Sequence, residues 1–237
     1  MNVGFIFFEY KGHHLHFADL VLRSLHDHCD SITIIGPASA LQALREAQII
    51  PSNAILEISD DSKTNAVLLL LNQRRFDLLY LNAADSSWLK LTLKILLSTS
   101  ARKSLKRTHL TGLLVGVGYA YPQNNQVRLK FLKRFILRHI APRYWKRLFI
   151  IDAIAYGKLF PKENRCCCYI PDPIEPIPPC RHDELRRSRL IPGDEMILLC
   201  IGVINAWKRV DLLLDAFLKL KDTGNFKLAL SQQMVDF

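Results

Sequence analysis

Two adjacent histidines, His13 and His14, follow Gly12 in the loop Tyr10–His14, directly after the apolar run Asn2–Phe8. A histidine there can orient an anionic group or a hydroxyl, or exchange a proton near neutral pH. Neighbours in a loop rarely share one role, so one of the two is the functional candidate; the alternative is a loop-packing or helix-capping pair. Gly12 allows close backbone approach. Asp85 follows the candidate strand Asp77–Leu81 and either binds a hydroxyl or caps the next helix, whereas Asp19 reads as a helix-face carboxylate or a second hydroxyl ligand. Near the other end, Lys208 opens the predicted helix Ala206–Leu220, just past a strand ending in Gly202. An ammonium beside a helix N-terminus can reach a phosphate. The alternative is an ordinary surface lysine beside Arg209.

A second feature is electrostatic. The 237-residue chain carries a formal charge of +10. Residues 101–147 hold 12 Lys and Arg with no Asp or Glu, while the flanking regions are near balance. Such local concentration of one sign indicates a partner surface. On a helix, Arg128–Ile140 would place Leu129, Leu132, Phe135, Ile136 and Ile140 on one face. Lys130, Lys133, Arg134 and Arg138 would lie on the other, with Leu137 intruding. Pro142 would end the helix, and Arg143, Tyr144, Trp145, Lys146 and Arg147 would extend the patch. A basic amphipathic helix of this kind can lie on an anionic membrane surface, each cation contributing roughly 1 kcal/mol. The alternative is a core-packed helix with a solvated basic back. Nucleic acid is not the expected partner, because the aromatic strand signatures and helix-turn-helix spacing are missing.

Other chemistries find no support. Cys166, Cys167 and Cys168 are consecutive and lack both CxxC and histidine at ligand spacing, so no metal site is expected. They read as buried reduced thiols. No G-x-S-x-G, Walker A or H-E-x-x-H pattern occurs, and Val115–Ala120 carries only a partial G-x-G. Hydrophobic residues make up 49% of the chain, too many for a disordered one. No run is long enough to span a bilayer, and the start, MNVGFIFFEYKGHH, lacks the basic opening of a signal peptide, so a cytoplasmic location is expected.

The elements that would position these residues alternate. Apolar runs at Asn2–Phe8, Ser31–Ile35, Ala54–Ile58, Asp77–Leu81, Thr111–Val117, Leu148–Ala155 and Cys166–Ile170 read as strands. Helical periodicity marks Leu15–His26, Ala38–Ala47, the stretch after Asp60-Asp61-Ser62, and Ser86–Leu97. This predicts α/β architecture: a Rossmann-like, doubly wound parallel sheet covered on both faces. Ligands then bind at the carboxyl ends of the strands, in the loops Tyr10–His14, Asn82–Ser86 and Gly118–Gln123. Five prolines between Pro171 and Pro179 mark a stiff connector. Beyond them come a polar helix over Arg181–Leu190 and a second, incomplete βαβ unit: Met196–Ile201, Ala206–Leu220 and Phe226–Leu230. The expected division is 1–175, a linker over 176–193, and 194–237.

Two segments then converge: Tyr169–Glu175, YIPDPIE, and Leu198–Lys221, LLCIGVINAWKRVDLLLDAFLKLK. The order of Pro-rich hinge, apolar strand ending in Gly, short loop, Lys and helix resembles the GT-B glycosyltransferases, specifically glycosyltransferase family 4 (glycosyl transferase group 1). KGHH at Lys11–His14 resembles that family's first-loop glycine region. The resemblance implies an N-terminal acceptor domain and a donor domain that begins at 194 and is truncated. It implies transfer of a sugar from a nucleoside-diphosphate sugar, with retention, to a sugar or lipid-linked acceptor. Lys208, Gly202 and Gly12 would serve the donor diphosphate, and Asp85, Tyr119 and Tyr121 would lie on the acceptor side. The nucleotide sugar is a co-substrate, and no other cofactor is implied. The basic segment would make the enzyme peripheral on the cytoplasmic membrane face.

The sequence also departs from the family pattern. Gly202 is followed by Val203, Ile204 and Asn205 rather than an early Arg. Leu113–Pro122 has Tyr119 and Tyr121 where many members have a His, and no Glu-x7-Glu motif occurs. Two other readings therefore stand beside the first. One is a non-catalytic acceptor- or membrane-binding fragment that needs a partner chain. The other is a sugar-nucleotide epimerase of the same fold.

Overall fold

The computed structural model describes residues 1–10, 14–117, 127–160, 164–171, 196–201, 210–220 and 226–231. The chain divides into two compact units, Met1–Pro173 and Ile174–Phe237.

In the first unit the apolar runs become strands β1 (Asn2–Ile6), β2 (Ser31–Gly36), β3 (Ala54–Ile58), β4 (Leu78–Leu81), β5 (His109–Leu114), β6 (Arg147–Ile150) and β7 (Cys167–Tyr169). Between them lie helices α1 (His14–His26), α2 (Ala38–Glu46), α3 (Lys63–Gln73), α4 (Trp88–Leu97), α5 (Thr99–Ser104), α6 (Val127–Phe135) and α7 (Ala153–Leu159). The sheet runs β3-β2-β1-β4-β5-β6-β7 and every neighbouring pair is parallel. The α/β Rossmann-like expectation is therefore met.

Continuous apolar strands make sense here because both faces are covered. Alternate residues point to opposite faces. Phe5, Phe7, Ile32, Ile34 and Leu113 pack with Phe17, Leu22, Leu41 and Leu44 of α1 and α2. Ile6, Ile35, Leu79, Leu81 and Leu114 pack with Val67, Leu71, Trp88 and Ile95 of α3 and α4. The rings of Phe5 and Tyr80 stack across the central strand pair at 5.5 Å between centroids. Gly36 closes β2 against the chain leaving β1: a Cβ there would lie 1.9 Å from the Phe7 carbonyl oxygen, so only glycine fits without a backbone shift.

Four features differ from expectation. The strand expected over Leu148–Ala155 stops at Ile150, because the Asp152 carboxylate accepts from the Ala155 N–H at 2.8 Å and starts α7. Helix α5 was not read at all. Ser62 occupies the position before α3, yet its side chain makes no capping bond. The helix expected over Arg128–Ile140 runs as α6 to Phe135, continues as a wide turn of π type over Ile136–Ile140, and ends in a 3₁₀ turn, Ala141–Arg143.

In the second unit, β8 (Met196–Ile201) and β9 (Phe226–Ser231) pair in parallel, with Met196 opposite Phe226. Helix α8 (Val210–Leu220) lies between them in sequence. The polar helix expected over Arg181–Leu190 lies outside the described residues.

Candidate functional site

Strand order reverses between β1 and β4: from β1 the chain moves to β2 and β3, and from β4 it moves to β5, β6 and β7. At such a switch point the loops leaving two neighbouring strands part, opening a crevice at the strands' carboxyl ends. The loops here begin at Phe7 and Asn82. The Asn82 N–H donates to the Ile6 carbonyl at 3.1 Å and the Ala84 N–H to the Leu113 carbonyl at 2.7 Å, so both the β1 and β5 ends are tied to the Asn82–Ser86 loop.

Four elements bring polar side chains together at this point. Lys63, the first residue of α3, is nine-tenths buried; its Nζ lies 2.5 Å from Glu9 Oε1 and 2.6 Å from the Ala83 carbonyl oxygen. The Ser86 hydroxyl donates to the same Glu9 oxygen at 2.9 Å. The other carboxylate oxygen, Oε2, is 3.6 Å from His14 Nε2. The buried Asn82 donates through Nδ2 to the His14 carbonyl at 2.9 Å, and among the described residues its Oδ1 has no hydrogen-bond partner.

Burial by itself would raise the Glu9 carboxyl. The Lys63 hydrogen bond and charge, the Ser86 hydroxyl and nearby His14 outweigh it and hold the group below its ordinary range. Asp85 goes the other way. Burial pushes it up, with the Glu9 charge adding to the rise, and the N–H groups of Val115, Gly116 and Asp85 itself only partly offset this. The two neighbouring carboxyls are thus shifted in opposite directions.

Asp85 does not cap α4. Its Oδ2 accepts from the Val115 N–H at 2.9 Å and its Oδ1 from the Gly116 N–H at 2.7 Å. It clamps the loop after β4 to the loop after β5, and Ser87, not Asp85, precedes α4. Asp19 is a helix-face carboxylate, held by Arg23 at i+4 with contacts of 2.7 and 2.8 Å. Of the histidine pair, His14 opens α1 beside Glu9; His13, Gly12, Tyr119, Tyr121, Gly202 and Lys208 lie outside the described residues.

Glu9 and Lys63 were not singled out from the sequence. The available signal was a carboxylate directly after a strand of uniformly apolar residues. For Lys63 it was a cation on the first turn of a helix, where the macrodipole disfavours positive charge.

The basic segment also differs from its expected form. Trp145 is not on the surface. It is 2% exposed, and its indole N–H donates to Thr92 Oγ1 at 2.9 Å, because the bulky ring fills the space beside Gly112. Leu137 belongs to the buried face with Ile136, while Phe131, Leu132 and Phe135 are exposed. Arg138 donates through Nε to the Leu159 carbonyl at 2.6 Å and through Nη2 to that of Lys158 at 3.2 Å, capping the C-terminus of α7. Arg147 bonds the carbonyls of Lys146 and Arg165. Arg143 and Lys146 are exposed, and Lys130, Lys133 and Arg134 are half-buried on α6. The side chain of Arg128 is outside the description.

Cys166 and Cys167 are buried free thiols. Among the described residues, no group of three or more His, Cys, Asp or Glu is arranged to hold a metal ion, and no helix is long and apolar enough to cross a membrane.

No protein-family model and no curated protein matches the chain. Among solved structures it is similar to Alr3699/HepE of Anabaena in complex with UDP-glucose, with a TM-score of 0.56 at 12% identity over 98% of this chain and 70% of that one. UDP-N-acetylglucosamine 2-epimerase from Rickettsia bellii gives a TM-score of 0.45 at 14% identity, over 98% of this chain and 62% of the other. The glycotransferase of kitacinnamycin gives 0.42 at 10%, over 97% and 65%. The likeness to the first is one of fold: a Rossmann-like architecture of the GT-B kind.

Proposed function

We propose that this protein transfers a sugar from a nucleoside-diphosphate sugar to an acceptor hydroxyl, with the first unit on the acceptor side. The observation that carries the reading is the polar cluster of Glu9, His14, Asn82 and Ser86 at the switch point of a parallel sheet, where doubly wound folds bind ligands. Support also comes from the fold shared with a protein crystallised with UDP-glucose, and from the family-4 resemblance of the Lys208 block. In this reading Lys208, Gly202 and Gly12 meet the donor diphosphate. A lysine ammonium there offsets charge that builds on the departing group, and His14 is the catalytic candidate of the histidine pair.

The exposed Phe131, Leu132 and Phe135 within a segment lacking acidic residues support a second element: docking on an anionic membrane surface. Arg128, Lys130, Lys133, Arg134, Arg143 and Lys146 supply the charge. Arg138 and Arg147 hold backbone carbonyls and add less.

The central test is titration of the purified chain with UDP-, ADP- and GDP-sugars, followed by release of nucleoside diphosphate on adding acceptor. Donor affinity in the millimolar range or tighter, weakened by Lys208→Ala, is expected. No binding of any donor at millimolar concentration overturns the reading. Vesicle co-sedimentation checks the docking: pelleting should require anionic lipid and fall with salt. Equal pelleting with neutral lipid sinks that part.

A further inference from the structure

Glu9 has one oxygen fully engaged and one oriented by its surroundings. Lys63 and Ser86 both meet Oε1, at 2.5 and 2.9 Å. Oε2 lies 3.6 Å from His14 Nε2, beyond hydrogen-bond reach. The carboxylate is about a third exposed, whereas Lys63 is nine-tenths buried. Placing a cation at the first position of α3 runs against the helix dipole and carries a desolvation cost. The return is geometric: Lys63 joins the loop after β1 (Glu9) to the loop after β4 (Ala83) and pins one carboxylate oxygen in place. The neighbouring Asn82 Oδ1 is buried and, among the described residues, unpartnered.

We propose that Glu9 is the hydroxyl-binding carboxylate of this crevice, that its ligand is a neutral carbohydrate, and that Lys63 is the residue that positions it. The proposal rests on the sugar-transfer reading and deepens it by naming the class of acceptor. The choice of ligand follows from charge. Lys63 already neutralises Glu9, so the pair attracts neither an anion nor a cation strongly. A carboxylate oxygen held in place is instead a strong acceptor for an O–H donor. Among the described residues, the groups facing Glu9 are Lys63 from α3, His14 from α1, and Ser86 and Asp85 from the loop after β4.

The test uses the full chain and saturation-transfer NMR with methyl glucoside, methyl galactoside and methyl mannoside, with glucosamine and glucuronate as charged controls. At least one neutral glycoside should bind more tightly than either control. Glu9→Gln should weaken it about tenfold or more. Lys63→Met should weaken it several-fold and move the acid limb of the binding profile upward, while Lys63→Arg should restore both. Because Glu9→Gln strands a buried ammonium, the double variant Glu9→Gln/Lys63→Met, checked by circular dichroism, should show the same loss. Unchanged affinity in Glu9→Gln or in the double variant overturns the proposal, as does preferential binding of a charged control or binding of none of the glycosides. Turnover of sugar nucleotides by the wild type is scored separately. Glu9-dependent glycoside binding without turnover keeps this site and removes the transfer reading. Turnover without such binding does the reverse.

Discussion

The Asp85 Oδ1 atom sits 2.7 Å from the Gly116 N–H, and through this bond and its partner to Val115 one side chain joins the loops that leave β4 and β5. Asp85→Ala removes both acceptors and should destabilise the chain by about 1–3 kcal/mol. Asp85→Asn, which keeps one acceptor, should cost less. Urea denaturation monitored by circular dichroism measures both. Equal stability of wild type and the alanine variant would show that the clamp contributes nothing.

The two crevice carboxyls should titrate in opposite directions. For Glu9 the folded value lies below the ordinary 4.5. Its contribution to stability is present above that pH and fades as pH falls through the lower folded value. For Asp85 the folded value lies above the ordinary 3.8. The proton-linked part of its contribution is complete below that pH and is lost as pH rises through the elevated value, separately from the hydrogen bonds to Val115 and Gly116. Carboxyl carbon NMR titration should therefore find Glu9 protonating below its ordinary value and Asp85 above its own. Shifts in the reverse directions would contradict the arrangement, and Lys63→Met should raise Glu9.

Thr92 accepts the Trp145 indole N–H at 2.9 Å and donates to the Trp88 carbonyl at 2.6 Å, all within the core. Thr92→Val keeps the shape but strands that N–H. A loss of about 1–3 kcal/mol is expected, with altered near-ultraviolet dichroism from the two tryptophans. A shift under 0.5 kcal/mol, within the ordinary range of surface substitutions, would mean water replaces the hydroxyl.

Helix α3 ends at Arg74, whose φ of 54° is left-handed and whose N–H bonds the Leu70 and Leu71 carbonyls. Glycine takes that conformation without the Cβ penalty. Arg74→Gly should raise the unfolding free energy by up to about 1 kcal/mol, read from the denaturation midpoint at unchanged slope. A clear loss would mean that the Arg74 side chain contributes more than its backbone strain costs.

The sheet was legible because its signal is local. Asn2–Ile6 and Ser31–Gly36 are buried on both faces, so they read as unbroken apolar runs between helical periods. Where signals overlap, reading fails. The apolar run Leu148–Ala155 conceals a strand end and a helix start, and only the carboxylate of Asp152 separates them. Helix α5 has six residues, too few for a periodic pattern. The crevice is the harder case. Glu9 and Lys63 are 54 positions apart, and nothing near either in sequence predicts that they meet. Their pairing follows from the order in which the strands are laid down. Trp145 was misplaced for a related reason: aromatic residues among cations look interfacial until the gap beside Gly112 is known.

The sheet order has one last consequence. Glu9, Asn82, Asp85 and Ser86 all stand on connections that start where buried strands finish, and none is among the hydrophobic residues of the two cores. In the proposed reading, substituting Glu9 or Ser86 would alter ligand recognition while leaving the apolar packing of the sheet in place. On that reading, ligand preference could be re-engineered separately from architecture.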